Sequence, residues 1–572
     1  MESTIIHTTT IVDGIEQSQI QKQSHIIDEI QDWPIYKLYE KRSEFVEEIN
    51  KNTSLRLRLK YKGKLDKLLA RTIYMEKIRM KDDPWSADPQ NEPIFWKKIQ
   101  KSLSDTDADQ EEIQNRSDYL LKKIVERYAE EIAGGFKKKT FLFARKFLSF
   151  FFRTLLNAAS AKNIFYIFKS KHRIEDRIKL FGPLDKIRKL AKDGVLVIVP
   201  THSSNMDSIM IGYALDEIAG LPAFSYGAGL NLYNNELVGY FMNRLGAYRV
   251  DRRKKNPVYL ETLKTMSTIS LQWGTNTLFF PGGTRSRSGE IETKLKLGLL
   301  GTAIEAQREI IKSDANYKNI YIVPVVLNYH CVLEARFLIE QHLRIVGKDS
   351  YMSSGRKDDF RSFKNVFVFL YRLLSQSSEI ALSFGDPLDV IGNSVNDSGQ
   401  SIDQHGKLID IKDYFLPLDE SEDVQSQRDN VYTSVLAEKI VESYLKHNMV
   451  FSTNLVAYAA FKLIKKLNSG LDVFNLLRLD PKEIDISLDE LVQKVNAVQA
   501  ILIENSKLGL IKLDHSALLM GDECVNDAIR KLGVFHASKP LQYLKTGKLG
   551  VGSLKILFFY HNRLENYDFL KA

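Results

Sequence analysis

Five short apolar runs alternate with helix-like stretches in the middle of the chain. Each run is continuously apolar instead of alternating with polar residues, which is typical of strands that have helices on both faces. The runs lie at 194–200, 223–227, 276–283, 319–329 and 379–388. Helical periodicity separates them, for example in 206–220 and 295–313. The pattern predicts an α/β fold in which helices flank a mostly parallel sheet.

Regions with few strand patterns lie on both sides of this predicted core. The N-terminal region is highly charged, and apolar residues recur in it at spacings of three and four, as in 117–134. The stretch 386–430 is rich in Gly, Ser, Asn and Asp, a composition typical of loops. The predicted units are a helical region at 1–135, a basic aromatic segment at 136–180, an α/β domain at 181–400, a linker at 401–430 and a helical region at 431–572.

The basic aromatic segment combines phenylalanine with positive charge. Between Phe136 and Lys171 the chain has nine Lys or Arg residues and no acidic residue. Arg145, Lys146 and Arg153 interrupt its apolar stretches before they reach the roughly 20 residues that a spanning helix needs. This pattern favours a helix that lies on an anionic membrane surface. A core helix with a solvated basic face is the alternative.

The whole-chain composition narrows the classes of function. The net charge is +9, but no recognition module for nucleic acid is apparent, so nucleic acid is not an expected partner. Cys331 and Cys524 are far apart and have no metal-ligand or paired-thiol spacing, which fits a reducing compartment. The N-terminus lacks the pattern of a secretory signal. We therefore expect a peripheral or monotopic protein on the cytoplasmic face of a membrane.

A histidine and an aspartate follow the first apolar run, in the sequence VPTHSSNMDS (199–208). Functional residues of open α/β sheets gather at the carboxyl ends of the strands. His202 lies at the turn after the run, and Asp207 falls in the first turn of the next predicted helix. Asp207 could orient the imidazole so that His202 acts as a general base. Taken alone, the pair is a weak signal, and its spacing favours a helix-capping cluster in which the acid only satisfies the helix end.

Two further stretches of the chain contain arginines that could bind an anion. Arg252 comes after the extended stretch 246–250, where it could offer a bidentate fork to a phosphate or simply lie in solvent. The stretch FFPGGTRSRSGE (279–290) combines glycines, hydroxyl groups and guanidinium groups, a set of donors suited to a phosphate. The candidate binding residues of this stretch are Gly283, Thr284, Arg285, Ser286 and Arg287. Backbone amides near Ser203 or Gly283 are candidate donors to an oxyanion.

A proline interrupts the run at 319–329. Pro324 has no amide hydrogen for a sheet ladder, so a central strand is an unfavourable place for it. It could shape the wall of an acyl-binding groove, or lie at an edge or bulge.

Four stretches in this order resemble the blocks of the glycerolipid acyltransferases with a His-x4-Asp motif, in the glycerol-3-phosphate and dihydroxyacetone-phosphate branch. The stretches are HSSNMD, GAYRVDR, FPGGTRSRSG and IVPVVLNY. The resemblance covers about 185–390, and FFYHNRLENY (558–567) resembles a segment near the end of the longer enzymes of that branch. One position departs from the pattern, because Gly282 stands where the family has glutamate.

The resemblance implies an acyltransferase catalytic domain at 181–400. The expected reaction is transfer of an acyl group to the sn-1 hydroxyl of glycerol 3-phosphate, which yields lysophosphatidic acid. His202 is the expected base and Asp207 its orienting acid, while Arg285, with Arg252 and Arg287, anchors the phosphate. Acyl-CoA or acyl carrier protein would supply the thioester, with no bound cofactor and no metal. The alternatives are dihydroxyacetone phosphate or lysophosphatidate as acceptor, or a catalytically silent membrane-binding homologue.

Overall fold

The computed structural model describes most of the chain. The described residues are 7–12, 15–20, 22–104, 110–160, 177–234, 236–313, 318–347, 379–415, 422–533 and 536–571.

A twisted sheet forms the centre of the molecule, and it confirms the predicted α/β fold. Its strands are β1 (His7–Val12), β2 (Ile15–Ile20), β3 (Ile178–Phe181), β4 (Val195–Pro200), β5 (Ser225–Gly229), β6 (Ala247–Val250), β7 (Thr277–Leu278), β8 (Ile320–Tyr329) and β9 (Ile380–Phe384). Their order is β1-β2-β3-β9-β8-β4-β7-β5-β6. The pairs from β8 through β4, β7 and β5 to β6 are parallel, as is β3 with β9, whereas β8 and β9 are antiparallel.

Helices cover the sheet and extend from it. They are α1 (Pro34–Glu40), α2 (Arg42–Lys60), α3 (Leu65–Asp82), α4 (Glu92–Leu103), α5 (Gln110–Ile132), α6 (Lys138–Ser160), α7 (Leu184–Asp193), α8 (Asp207–Tyr213), α9 (Glu236–Met242), α10 (Pro257–Gln272), α11 (Leu297–Ser313), α12 (Ala335–Val346), α13 (Lys412–Phe415), α14 (Glu422–His447), α15 (Ser452–Leu467), α16 (Val473–Leu476), α17 (Leu488–Lys507), α18 (Gly521–Leu532) and α19 (Leu554–His561). Every residue of β4 and β8 is buried, as expected for strands covered on both faces.

The N-terminal region is mostly helical, and it packs directly on the α/β core. Helices α2 and α5 contact α10, and the three share one apolar cluster. Its first described residues differ from the prediction, because His7–Val12 and Ile15–Ile20 form two antiparallel strands in which Val12 pairs with Ile15. The second strand continues the sheet where Ile20 pairs with Leu180 of β3. Rows of β-branched residues such as HTTTIV favour a strand over a helix here.

Helix α6 covers 138–160 of the basic aromatic segment, 161–176 lie outside the described residues, and β3 begins before the segment ends. One side of α6 packs on the protein: the Arg145 Nε donates to Asp216 at 2.8 Å, and Phe141 meets the Trp33 ring edge-on. The opposite side carries Phe143 and Phe147, which are more than half exposed. Within the described residues, no helix is both long enough and apolar enough to cross a membrane.

The predicted linker contains regular structure. A small sheet of β10 (Ser394–Val395), β11 (Ser401–Ile402) and β12 (Leu408–Ile409) precedes α13, and α14 begins at Glu422 instead of after 430. Short two-stranded and three-stranded pairings follow in the C-terminal region, formed by β13 (Met449–Val450), β14 (Asp485–Ile486), β15 (Lys512–Leu513), β16 (Gln542–Tyr543) and β17 (Leu549–Gly550). Helix α14 packs on α11 and β8, and α19 packs on α12, so the C-terminal region shares the core of the sheet.

Candidate active site

His202 and Asp207 form a hydrogen-bonded pair at the carboxyl end of β4. The strand ends at Pro200, and Asp207 is the first residue of α8. The His202 Nδ1 lies 2.8 Å from Asp207 Oδ2. The fully buried Asp207 carboxylate also accepts the backbone amides of Ser203 at 2.6 Å and Ser204 at 2.9 Å. The turn between the two residues therefore folds around the carboxylate.

The hydrogen bonds of Asp207 determine which nitrogen of His202 carries the proton. The Tyr329 hydroxyl donates to Asp207 Oδ1 at 2.6 Å, so both carboxylate oxygens act as acceptors. The His202 Nδ1 must then be protonated, and in the neutral imidazole Nε2 is therefore an acceptor. No described residue bonds to Nε2, and the imidazole stacks on Phe280 with ring centroids 4.1 Å apart. This is the state that a general base requires.

The loop that follows β7 is bonded to the turn that holds His202. The Ser286 amide donates to the His202 carbonyl at 2.7 Å, and the Ser286 hydroxyl donates to the Glu290 carbonyl at 2.7 Å. Gly283 has a φ of 76°, which favours glycine, and its amide donates to the Phe280 carbonyl at 3.0 Å. Ser203 and Gly283, the candidate oxyanion donors, thus both use their amides within the protein.

The three predicted anion-binding arginines lie close enough to influence each other. The surrounding protein partly desolvates Arg252, and Arg285 and Arg287 repel its charge, so the pKa of Arg252 lies below its ordinary value. Arg252 nevertheless reaches solvent and forms no ion pair with a described residue. Burial and the charge of Arg287 also lower the pKa of His342 on α12. Repelling guanidinium groups of this kind create a site that favours an anion.

Glu334, which was not among the residues predicted from the sequence, connects Arg285 to the His202 turn. It is fully buried at the N-terminal end of α12. Its carboxylate accepts the Ser204 hydroxyl at 2.8 Å, the Asn205 amide at 2.9 Å and the Arg285 guanidinium at 3.2 Å. Glu334 thereby sets the position of Arg285 relative to the pair. The only sign of Glu334 in the sequence is that an acidic residue follows the stretch IVPVVLNY.

The residues after Arg252 attach its loop to the N-terminal helices. Arg253 pairs with Asp251 and with Asp88, and its guanidinium lies over the Trp85 ring. The buried Lys254 pairs with Glu131 of α5 at 2.6 Å. The N-terminal helical region therefore supports the loop that presents Arg252.

The remaining predicted residues have different surroundings. Thr284 is exposed on the loop after β7. Pro324 is buried in β8, beside Val199 of β4, so the edge position is wrong. Its carbonyl accepts the Gly385 amide just beyond the end of β9. On this side the pairing of β8 shifts by one residue, from Val325 with Phe384 to Ile322 with Leu388, so Pro324 lies at a bulge where no amide hydrogen is needed. Its role in an acyl groove stays a prediction.

The C-terminal segment also contacts the active-site loop. The Asn562 side chain donates to the Ser288 carbonyl at 2.8 Å. Gly289 packs so closely on Phe559 that a Cβ atom would lie 2.1 Å from the Phe559 carbonyl oxygen. Within the described residues, no group of three or more His, Cys, Asp or Glu side chains is arranged to hold a metal ion.

Comparison with known proteins identifies the domain that carries this site. The family model described as Acyltransferase matches residues 184–328, which include His202, Asp207, the three arginines and Pro324. Residues 184–328 are thus similar to an acyltransferase domain. This domain supplies β4 to β8 of the sheet, and both predicted loops of the candidate site lie within it.

Proteins similar to this chain carry the name glycerol-3-phosphate acyltransferase. One from Pseudomonas fluorescens (strain SBW25) is 23% identical over 71% of this chain and 41% of its own length. Another from Aeromonas hydrophila subsp. hydrophila is 25% identical over 55% of this chain and 34% of its own length. The chain thus spans less than half the length of these relatives. The crystal structure of the LPA acyltransferase PlsC from Thermotoga maritima is also similar, with 14% identity, a TM-score of 0.23, and coverage of 66% of this chain and 93% of that one.

Proposed function

We propose that this protein is a glycerol-3-phosphate acyltransferase that forms lysophosphatidic acid from glycerol 3-phosphate and an acyl thioester. The proposal rests on one arrangement: His202, with its free Nε2, lies in the same group of loops as Arg252, Arg285 and Arg287. A base beside an anion site suits an alcohol that carries a phosphate. The names of the relatives support the same substrate.

The proposed reaction uses the hydroxyl of the substrate as the nucleophile. The arginines hold the phosphate, so that the sn-1 hydroxyl lies against the His202 Nε2. His202 takes the hydroxyl proton while the oxygen attacks the thioester carbonyl, and Asp207 stabilises the imidazolium. The tetrahedral intermediate collapses as the carbon–sulfur bond breaks, and His202 returns the proton to the leaving thiolate. Acyl-CoA or acyl carrier protein supplies the acyl group, and no metal or bound cofactor takes part.

A direct assay tests this proposal. The purified chain is given labelled glycerol 3-phosphate with acyl-CoA or acyl carrier protein thioester, and the label that enters lipid is measured. Dihydroxyacetone phosphate and lysophosphatidate compete as acceptors in parallel. Transfer to glycerol 3-phosphate in preference to the competitors is expected. No transfer to any acceptor would support the catalytically silent alternative and contradict the proposal.

Substitution of Arg285 tests the phosphate anchor. Arg285→Lys keeps the charge but loses the bidentate fork, so the KM for glycerol 3-phosphate should rise about 10- to 100-fold, with a smaller change in kcat. Steady-state kinetics over a range of glycerol 3-phosphate concentrations measures both constants. Arg530→Lys, on the exposed surface of α18, is the matched control. An unchanged KM would remove Arg285 from phosphate binding.

We further propose that α6 attaches the protein to an anionic membrane surface, on the cytoplasmic face. Its inner side is held by the ion pair between Arg145 and Asp216, so this side is not available to a bilayer. Its outer side presents Phe143, Phe147 and Phe150, each 53–57% exposed. Lys139 and Lys146 are exposed on the same side of the helix. A face of aromatic residues flanked by lysines fits the interface of an anionic bilayer.

A triple substitution tests this surface. Changing Phe143, Phe147 and Phe150 to serine should weaken binding to vesicles that contain phosphatidylglycerol at least about tenfold, because the apolar contact is lost. Sedimentation with the vesicles measures binding, and salt should weaken the parent because screening shortens the reach of its lysines. The matched control changes three exposed residues of the N-terminal helices to serine, Tyr74, Ile94 and Tyr119. Equal binding by both triple variants would contradict the assignment.

A further inference from the structure

The carboxyl group of a half-buried glutamate occupies the space that a side chain at position 282 would need. The carboxyl group of Glu292 lies beside Gly282, so that a Cβ atom on residue 282 would be 2.6 Å from Glu292 Cδ and Oε1. Real Cβ atoms do not approach other atoms so closely. The φ angle of Gly282 is outside the left-handed region, in contrast to that of Gly283. A side chain at position 282 would therefore displace the Glu292 carboxyl group, whereas the backbone conformation of Gly282 does not itself require glycine.

The Glu292 carboxyl group contacts the turn that holds His202. Its Oε1 accepts the backbone amide of His202 at 3.2 Å, and its Oε2 has no hydrogen-bond partner among the described residues. Burial, together with the nearby charge of Asp207, raises the pKa of Glu292 to about 8, against the effects of the His202 amide and Arg563. Arg563, buried in the C-terminal segment, donates to the Leu327 carbonyl at 3.1 Å. The His202 turn thus contacts a carboxyl group that the proposed reaction does not use.

We propose that Glu292 is a positioning residue for His202, and that its carboxyl group replaces in space the side chain that Gly282 lacks. This inference rests on the proposed acyl transfer, since it concerns the same base. Asp207 controls the imidazole, whereas Glu292 holds the backbone from which the imidazole projects. Without Glu292 the His202 amide would lose its buried acceptor, which costs free energy and lets the turn move. Movement of the turn would displace Nε2 relative to Arg285.

Single substitutions of Glu292 distinguish a role in positioning His202 from a general effect on the stability of the protein. Glu292→Gln keeps an oxygen that accepts the His202 amide, so its kcat should stay within about threefold of the parent. Glu292→Ala removes the acceptor, so its kcat should fall at least about tenfold, with less than a threefold change in the KM for glycerol 3-phosphate. Glu309→Ala, on the surface of α11, is the matched control. Equal kcat in the Gln and Ala variants would overturn the proposal.

An exchange of the two positions gives the sharpest test. Gly282→Glu in the parent should abolish acyl transfer, because the new side chain overlaps the Glu292 carboxyl group. In the Glu292→Ala background the same substitution should instead raise kcat, since the acid then has the space and can accept the His202 amide. Opposite signs in the two backgrounds would show that the positions share one space. A loss of the same size in both would contradict this.

A measurement on His202 itself remains informative without any acyl transfer. Histidine labelled with ¹³C at Cε1 gives NMR signals that report the surroundings of each imidazole, and His202→Gln assigns the signal of His202. At a fixed pH this signal should shift in Glu292→Ala, because the turn moves, and stay at the parent position in Glu292→Gln. An inactive parent with this shift would refute the proposed function and keep the positioning role. An active parent with no shift in either variant would support the proposed function and refute the positioning role.

Discussion

His202→Ala should lower kcat for acyl transfer about 10²- to 10⁴-fold, because the variant has no base to take the proton of the attacking hydroxyl. The effect should appear with both thioester donors, since both present the same carbonyl chemistry. The KM for glycerol 3-phosphate should change little, because the arginines and not His202 bind the phosphate. Initial rates of label transfer into lipid measure the loss.

His405→Ala is the matched control for this substitution. His405 is an exposed histidine between β11 and β12, far along the chain from the active-site loops. Its variant should keep parental activity, and thermal unfolding should show that both variants remain folded. A His202→Ala variant with a rate close to that of the parent would exclude His202 as the base.

Asp207→Asn should lower kcat about 10²- to 10³-fold while the fold is kept. The asparagine oxygen can take the place of Oδ2, where it accepts the Ser203 and Ser204 amides and the His202 Nδ1. Its amide nitrogen can then donate to the Tyr329 hydroxyl, which accepts as well as donates. The substitution thus removes the negative charge without removing the hydrogen bonds. What is lost is the stabilisation of the imidazolium during proton transfer.

Tyr329→Phe tests the same carboxylate from its other side. It removes one neutral donor and leaves the charge, so kcat should fall less than about tenfold. Burial and the adjacent Asp207 raise the pKa of Tyr329 well above its ordinary value, so the hydroxyl keeps its proton and contributes no charge of its own. Rates of the two variants, measured from pH 6 to 9, give the comparison. If Asp207→Asn were no slower than Tyr329→Phe, the charge of Asp207 would have no role in the reaction.

The apolar patterning predicted the core of the fold more accurately than its edges. The runs at 194–200 and 319–329 became β4 and β8 almost without change, because strands buried on both faces need continuous apolar residues. The run at 276–283 formed only the two residues of β7, since Pro281 and the glycines that follow it belong to the loop. The strands at 7–12 and 15–20 were missed, although the sequence Asp-Gly at 13–14 is a strong hairpin signal.

Some residues of the candidate site could likewise be predicted from the sequence, and others could not. His202 and Asp207 could be predicted as a pair because they are close in sequence and lie at the end of a buried strand. Glu334 and Glu292 could not, because each reaches the His202 turn from another loop, 129 and 90 residues along the chain from its partner there. In the sequence, Gly282 occupies a position at which the resembled family has glutamate. The structure shows an acid beside the same position, supplied by Glu292.

The sequence by itself determined the α/β class and the order of the motifs, including the local turn that joins His202 to Asp207. These properties depend on neighbouring residues and on periodicity, which can be read along the chain. The tertiary structure decided which distant groups meet: Glu334 with Arg285, Glu292 with the His202 amide, and the terminal regions with the core. Buried charges must find partners across the fold, and their positions depend on how the loops pack, which no local pattern records.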